Sequence, residues 1–401
     1  MRYLLFLQLC TTMLLLSSCS PHTDVTVTWK DGTAKCSLQK GDRTFLFEVD
    51  KHANVVLECC LPSTEKPVIR LRGKAKGTFT YKAEHPSTII VDGLNLSGRS
   101  GKTTFSIKNT QPTTLILRNE NKLHDGSPAC DTVSAKDCLR SKGHLTIMGD
   151  GELQLKATHT GSKGMKCKGN FWMLSGTLKV STTGSYLREI LVEREARFSQ
   201  SAGGPKPDFP PFPADGRPMP PPPPMPPPPP MPRPDDSLFD VFGPDDFPSD
   251  SSGWFIPSMV ERDYQGTCKG VKIMGTAWIE GGELKVSTSS PGAEGFEAKK
   301  GINISGGKIR IEAYDDGISS NGQIIVTGGD IRVKSTHNDG IDSNYGKAGG
   351  YVQHGGRVEV ISEAGPPEES LDTDWTPIVH DGGELIANPE LQKEPNFDKR
   401  P

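Results

Sequence analysis

Residues 308–346 read KIRIEAYDDGISSNGQIIVTGGDIRVKSTHNDGIDSNYG, and they state one pattern twice. Apolar and polar residues alternate in "KIRIEA" and again in "DIRVKS". A turn with Asp315-Asp316 follows the first run and one with Asn338-Asp339 the second, and Gly-Ile opens a short polar segment after each. Alternation of period two belongs to strands, whose successive side chains point to opposite faces. Similar runs extend outward in both directions: "TLILRN", "HLTIMG", "ELQLKA", "TLKVST", "INISGG", "QIIVTG" and "RVEVIS", all bounded by Gly, Asn, Asp or Ser. Paired glycines recur at Gly281-Gly282, Gly306-Gly307, Gly328-Gly329, Gly355-Gly356 and Gly382-Gly383, and the turn glycines Gly295, Gly317 and Gly340 are 22 and 23 residues apart. Two or three short strands per period with glycine corners predict a parallel β-solenoid, each coil stacked on the last. A β-propeller would need longer units of four hairpin strands. The chain is therefore expected to be all-β, and only "YLREILVEREARF" holds a helical period.

The remainder of the chain sets bounds. A formal net charge of -3 over 401 residues argues against nucleic acid as a partner. Arg2 and an apolar run from Leu4 to Leu16 have the plan of a secretory leader, too short to span a bilayer. The segment Leu16-Ser17-Ser18-Cys19 resembles a bacterial lipobox, which would make residues 1–18 the leader and Cys19 the lipid-bearing first residue of the mature protein. Ser20, rather than Asp, after that cysteine favours the outer membrane. In an exported protein Cys36, Cys59, Cys60, Cys130, Cys138, Cys167 and Cys268 are disulfide candidates, an odd set. Between Pro205 and Pro234 stand more than half of the 34 prolines. Proline lacks the amide hydrogen that a ladder needs, so residues 198–262 are expected to interrupt the strands as a polyproline arm or disordered spacer, with a proline-reading protein as a conceivable partner. The expected organisation is 19–90 as an N-terminal β region leading into the coils, 91–197 and 263–388 as the two parts of the solenoid, and 389–401 as a loose tail.

"NENKLHDGS", "KGHLTIMGDGELQLKA" and "DDGISSNGQIIVTGGDIRV" resemble the bacterial carbohydrate-binding domain family. The resemblance runs roughly from Val25 to Leu385, apart from the proline-rich stretch. It implies a right-handed parallel β-helix related to pectate lyases, with bound Ca2+ and an acidic, polygalacturonate-like polysaccharide as ligand.

Stacked coils place residues one period apart in columns about 4.8 Å apart. One column would hold Glu294, Asp316 and Asp339, and a second Glu297, Ser319 and Asp342. Carboxylates at that spacing repel by about 1 kcal/mol per pair in water and more when shielded. A hard cation with oxygen ligands reverses the sign. Glu294, Glu297, Asp315, Asp316, Asn338, Asp339 and Asp342 are thus the candidate Ca2+ ligands, against the plainer reading of a solvated edge with Asp-Gly turns. Counting back from the closing glycine of each turn puts Lys142, Lys168, Lys269 and Lys300 in one slot, thickened by Arg140, Lys166 and Lys299. That ladder suits a polyanion laid along the axis, unless the lysines are merely solvated. Trp172, Trp278, Tyr314 and Tyr345 lie in strands or turns; Tyr314 is the aromatic candidate for stacking on a sugar, and Trp172 in "NFWMLSG" is read as core.

Three activities stay open: a polysaccharide-binding lipoprotein, a calcium-dependent lyase, and an adhesive surface solenoid. A lyase needs a Lys or Arg base beside the metal, and no residue is singled out for that role. The same glycine count puts Cys167 and Cys268 in equivalent slots two residues before Gly169 and Gly270, close enough for a disulfide that would clip the coils flanking the interruption.

Overall fold

The computed structural model describes residues 23–38, 45–59, 66–127, 135–159, 161–184 and 268–391. The expected leader with Cys19, the helical-period segment, the proline-rich stretch, Cys60, Cys130 and the tail beyond residue 391 lie outside them.

Each alternating run becomes a strand, and the described residues contain no helix. A coil has three strands. One coil runs Phe296–Ala298, Gly301–Ile304 and Lys308–Ala313, and the next runs Ile318–Ser320, Ile324–Val326 and Asp330–Ser335. Corresponding strands pair in parallel: Phe296 with Ile318, Ile302 with Ile324, Ile309 with Ile331. The first strands of the coils make a narrow sheet of 11 strands, and the second and third make a broad sheet of 20. Parallel strands cannot be joined by tight hairpins, and here the connection is a full turn of the coil. The architecture is that of a β-solenoid, as the 22- and 23-residue spacing predicts.

Alternation decides what is inside. In the narrow sheet Phe79, Phe105, Leu139, Met165, Val271, Phe296, Ile318, Ile341 and Leu371 stack in one buried column. Burying each such side chain contributes about 1.5–3 kcal/mol before the chain entropy is counted. Residues one step along each strand face outward, and they carry the charges of the site.

A glycine stands immediately before five of the narrow-sheet strands, at Gly164, Gly270, Gly295, Gly317 and Gly340, because the corner has no room for a side chain. A Cβ on Gly317 would lie 2.1 Å from Val333 Cγ1 and 2.5 Å from the carbonyl oxygen of Gly340, and one on Gly270 would lie 2.5 Å from that of Gly295. Carboxylates recur before Gly295, Gly317 and Gly340 because the glycines fix the corner and the preceding residue rides on it.

The solenoid continues directly across residues 185–267. Met165–Cys167 pairs with Val271–Ile273, Phe171–Met173 with Thr276–Ile279, and Thr177–Thr182 with Glu283–Thr288. No coil is skipped. At the N-terminal end the pairing turns antiparallel: Thr33–Leu38 lies against Val25–Lys30, and Phe45–Val49 against Val55–Cys59. These strands cap the first coil, where the Trp29 indole N–H donates to the Ala53 carbonyl at 3.1 Å.

The expected Cys167–Cys268 disulfide does not form. Register places Cys167 opposite Ile273, while Cys268 precedes the strand that contains Ile273, and both are free, buried thiols. The Cys167 thiol donates to the Gly143 carbonyl at 3.4 Å and that of Cys268 to the His159 carbonyl at 3.5 Å. Gly270 opens its turn, in line with Gly164 and Gly295, whereas Gly169 closes one. Counting back from both glycines compared unlike positions.

Candidate functional site

Three outward columns run along the narrow sheet. The column before the corner glycines holds Asp137, Lys163, Lys269, Glu294, Asp316, Asp339 and Glu369 in successive coils. The column at the middle of the strands holds Arg140, Lys166, Lys272, Glu297, Ser319, Asp342 and Asp372. The column just past the strands holds Lys82, Lys108, Lys142, Lys168, Met274 and Lys299, followed by Asn321 and Asn344. After Asp137 the first two columns change from cations to carboxylates, the third changes from lysines to asparagines, and the change falls in the coils after the interruption.

At the basic end Lys82, Lys108, Lys142 and Lys168 stand on consecutive coils, a ladder of about 14 Å. With Lys102, Lys136 and Arg140 they line a groove of about 1260 Å³. Glu58 and Glu84 are its only acidic lining residues among those described, and Glu58 pairs with Lys82 at 3.0 Å. Beside the ladder, burial and the neighbouring Arg140 and Lys163 bring the Lys166 ammonium down to about 8. A cation that is costly to keep charged gains most from a bound anion.

The ladder's membership differs from that read off the turns. Lys142 and Lys168 are in it, but Lys269 and Lys300 are not. Lys300 is displaced by one residue, with Lys299 in the slot, and Lys269 belongs to the column before the corner glycines. Lys269 is buried between Glu294 at 2.5 Å and Glu297 at 3.0 Å. Burial opposes its charge, yet the two carboxylates outweigh burial and raise its pKa. Glu297 in turn meets Lys272 at 3.2 Å and Lys299 at 2.5 Å. Burial resists its ionisation, but Lys269, Lys272 and Lys299 overcome that and lower its carboxyl to about 2. Glu294 and Glu297 are therefore occupied by ammonium groups, which form the seam between the two halves.

Beyond that seam burial and neighbouring carboxylates dominate at Asp316 and Asp342. Burial, then Asp315, Asp342, Glu294 and Asp339, push the Asp316 carboxyl up to about 9, and its Oδ1 is buried with no hydrogen-bond donor. Asp342 rises to about 7 through burial and the charges of Asp372 and Asp339. Asp339 accepts the Glu369 amide at 2.6 Å, and Asn338 sits in the slot of Asp315 one coil earlier. Glu369 and Asp372, which extend both acidic columns by a coil, were missed in the sequence because "EESLDT" lacks the corner glycine. Among the described residues no three acidic, histidine or thiol side chains already converge as a metal cage.

The aromatic candidates offer less. Tyr314 stacks on His337 with centroids 3.8 Å apart, which covers one face of its ring. Trp172 and Trp278 stack at 4.7 Å and are half-exposed on the outside of the broad sheet, so they are not core, but the stacking covers a face of each.

The family described as carbohydrate-binding domain-containing protein matches residues 62–188 and 278–366, more than half of the chain, and the chain belongs to that family. No curated protein and no solved structure matches it.

Proposed function

We propose that this member of the carbohydrate-binding family is a lipid-anchored envelope protein that holds an acidic polysaccharide of the polygalacturonate type along its narrow sheet. Membership supports carbohydrate as the ligand. The observation that carries the acidic character is the lysine ladder at the floor of the groove, Lys82, Lys108, Lys142 and Lys168. Its step is the strand spacing of about 4.8 Å, comparable with one pyranose unit, so successive uronate carboxylates meet successive ammonium groups. The lipid anchor at Cys19 and the outer membrane rest on the leader alone.

Calcium belongs to the acidic half in this reading. The donor set fits a hard cation: oxygen ligands, an orphaned buried carboxylate oxygen on Asp316, and neighbours that raise one another's pKa. Asp315, Asp316, Asp339 and Asp342 would hold the ion after modest side-chain rotation. Bound there, Ca2+ would supply positive charge where the sheet has none, allowing the polyanion to continue past the seam.

The lyase reading has one observation in its favour, the lowered pKa of Lys166. Against it, Lys166 and Asp342 are four coils apart in one column, about 19 Å, too far for one sugar to meet both base and metal. Lys299 and Lys334, nearer the acids, are tied to Glu297 and Glu363. Binding without cleavage is the better reading.

The test is retention of polygalacturonate by Lys142→Gln/Lys168→Gln. Both residues are exposed, so folding should be unaffected. Retention should fall at least about tenfold and become less sensitive to salt. Undiminished retention rejects the groove, and ultraviolet-absorbing unsaturated products from the wild type would restore the lyase.

A further inference from the structure

A separate cluster lies at the corner where the broad sheet turns toward the narrow one. His124 ends the strand Glu120–His124, and His159 follows Glu152–Ala157 in the next coil. Asp125 lies between them with its side chain 0% exposed. Its Oδ2 accepts the backbone amides of Thr158 at 3.0 Å and His159 at 2.8 Å, which fixes the carboxylate in place. Nδ1 of each histidine is 3.2 Å from one of its oxygens, and Nδ1 of His124 is also 3.0 Å from the Asp125 carbonyl. Both Nδ1 atoms lie against the carboxylate, which favours hydrogen on Nδ1, and that of His159 is also 3.5 Å from the Thr158 hydroxyl. The Nε2 atoms are then the ring positions left for a ligand.

The groove there has a volume of about 560 Å³, and Lys76 and Arg99 also line it. Arg99 is anchored by its Nε, which donates to the Lys76 carbonyl at 3.0 Å, so its terminal nitrogens are not used in that bond. The rings of His124 and His159 meet edge to face with centroids 6.3 Å apart. A buried carboxylate thus orients two imidazoles beside two permanent cations, and Asp125 itself also lines the groove. A cation is disfavoured by Lys76 and Arg99, whereas an anion gains from both of them and from the imidazoles in their charged form.

We propose that this corner is a second anion-binding site, which takes one carboxylate or sulfate group, free or carried on a sugar, between Arg99, Lys76 and the imidazoles of His124 and His159. Binding couples to proton uptake, because Nε2 accepts in the neutral ring and donates in the charged one, and imidazole as a side chain changes charge between about pH 5 and 8. The charged or titratable groups around the rings are Asp125, Lys76, Arg99, Lys156 in register with His124, and the buried thiols of Cys138 behind Asp125 and Cys268 against the His159 carbonyl. The site does not depend on the lysine ladder, and inorganic sulfate probes it without any sugar.

The experiment is a titration of the full chain with sodium sulfate and, separately, sodium galacturonate at pH 6 and pH 8, reading the ring NMR signals of His124 and His159. Both rings should shift saturably at pH 6 with at least one probe, and affinity should be at least about tenfold weaker at pH 8. Saturation by sulfate assigns the site to free anions as well, and saturation by galacturonate alone assigns it to the sugar-borne group. Lys76→Gln, on an exposed side chain, and Arg99→Gln should each weaken the response while Lys142→Gln/Lys168→Gln leaves it intact. Rings that do not shift saturably with either probe, or shifts that survive both Lys76→Gln and Arg99→Gln, overturn the proposal.

Discussion

Replacing Asp316 by Asn should make the metal-free protein more stable at pH 8 and flatten its dependence on pH. Burial and the surrounding carboxylates raise the Asp316 carboxyl from 3.8 to about 9. Between those values the folded protein keeps a proton that the unfolded chain has released, so stability due to this group is fully present below 3.8 and is lost as pH rises toward 9. Each pH unit in that window is worth up to about 1.4 kcal/mol, or about 4 kcal/mol from pH 5 to pH 8. This is a ceiling, because rotation of the side chain toward solvent relieves part of it. Asp342, raised to about 7, adds a loss of the same sign below pH 7. The assay is urea unfolding in chelator at half-unit steps from pH 5 to pH 8. Wild type should lose stability across the range by more than Asp316→Asn does, and the variant should be the more stable at pH 8. Saturating Ca2+ should narrow the gap at pH 8, since an ion at 100 times its dissociation constant adds about 2.7 kcal/mol to the form that binds it. Parallel pH profiles for the two proteins in chelator would refute the electrostatic reasoning.

Two other outcomes rest on the seam and the thiols. Lys269→Met leaves Glu294 and Glu297 buried beside a lost partner and should cost about 3–5 kcal/mol in unfolding free energy, with part recovered in Glu294→Gln/Lys269→Met. A variant as stable as wild type would show that the seam is dispensable. Under native oxidising conditions peptide mapping should find Cys167 and Cys268 unlinked, and both should alkylate slowly because burial raises the Cys268 thiol and pushes that of Cys167 up to about 12. A cross-linked peptide would contradict the register.

The solenoid was legible in the sequence because its cause is local. A strand buried on one side must alternate, and a corner without space for a Cβ must be glycine, so "GGDIRV" and "DGISS" carry the fold in their own residues. The acidic columns were legible for the same reason, since Glu294, Asp316 and Asp339 each precede such a corner. The lysine ladder was only half legible. "GTCKG" shows one corner glycine beside the interruption, and the residues on its C-terminal side decide whether that glycine opens or closes a turn. The sequence does contain that signal: Gly270-Val271-Lys272-Ile273 has the form of Gly164-Met165-Lys166-Cys167 and Gly295-Phe296-Glu297-Ala298, a glycine and then the strand. Aligning on the strand rather than the turn moves Lys269 out of the ladder and brings in Lys82 and Lys108. The cluster around Asp125 was not legible, because His124 and His159 meet across coils through a connection that has no repeat.

The central claim is that the charge on the sugar acid is what the narrow sheet binds. Affinity for polygalacturonate should therefore be compared with affinity for the same polymer fully methyl-esterified, at low salt and with Ca2+ present. Esterification keeps the backbone shape and removes the negative charge that the ladder and a bound cation would meet. The account predicts saturable binding of the acid form, weakened by salt and by chelator, with the ester at least about tenfold weaker. Equal affinity for the two polymers would contradict it.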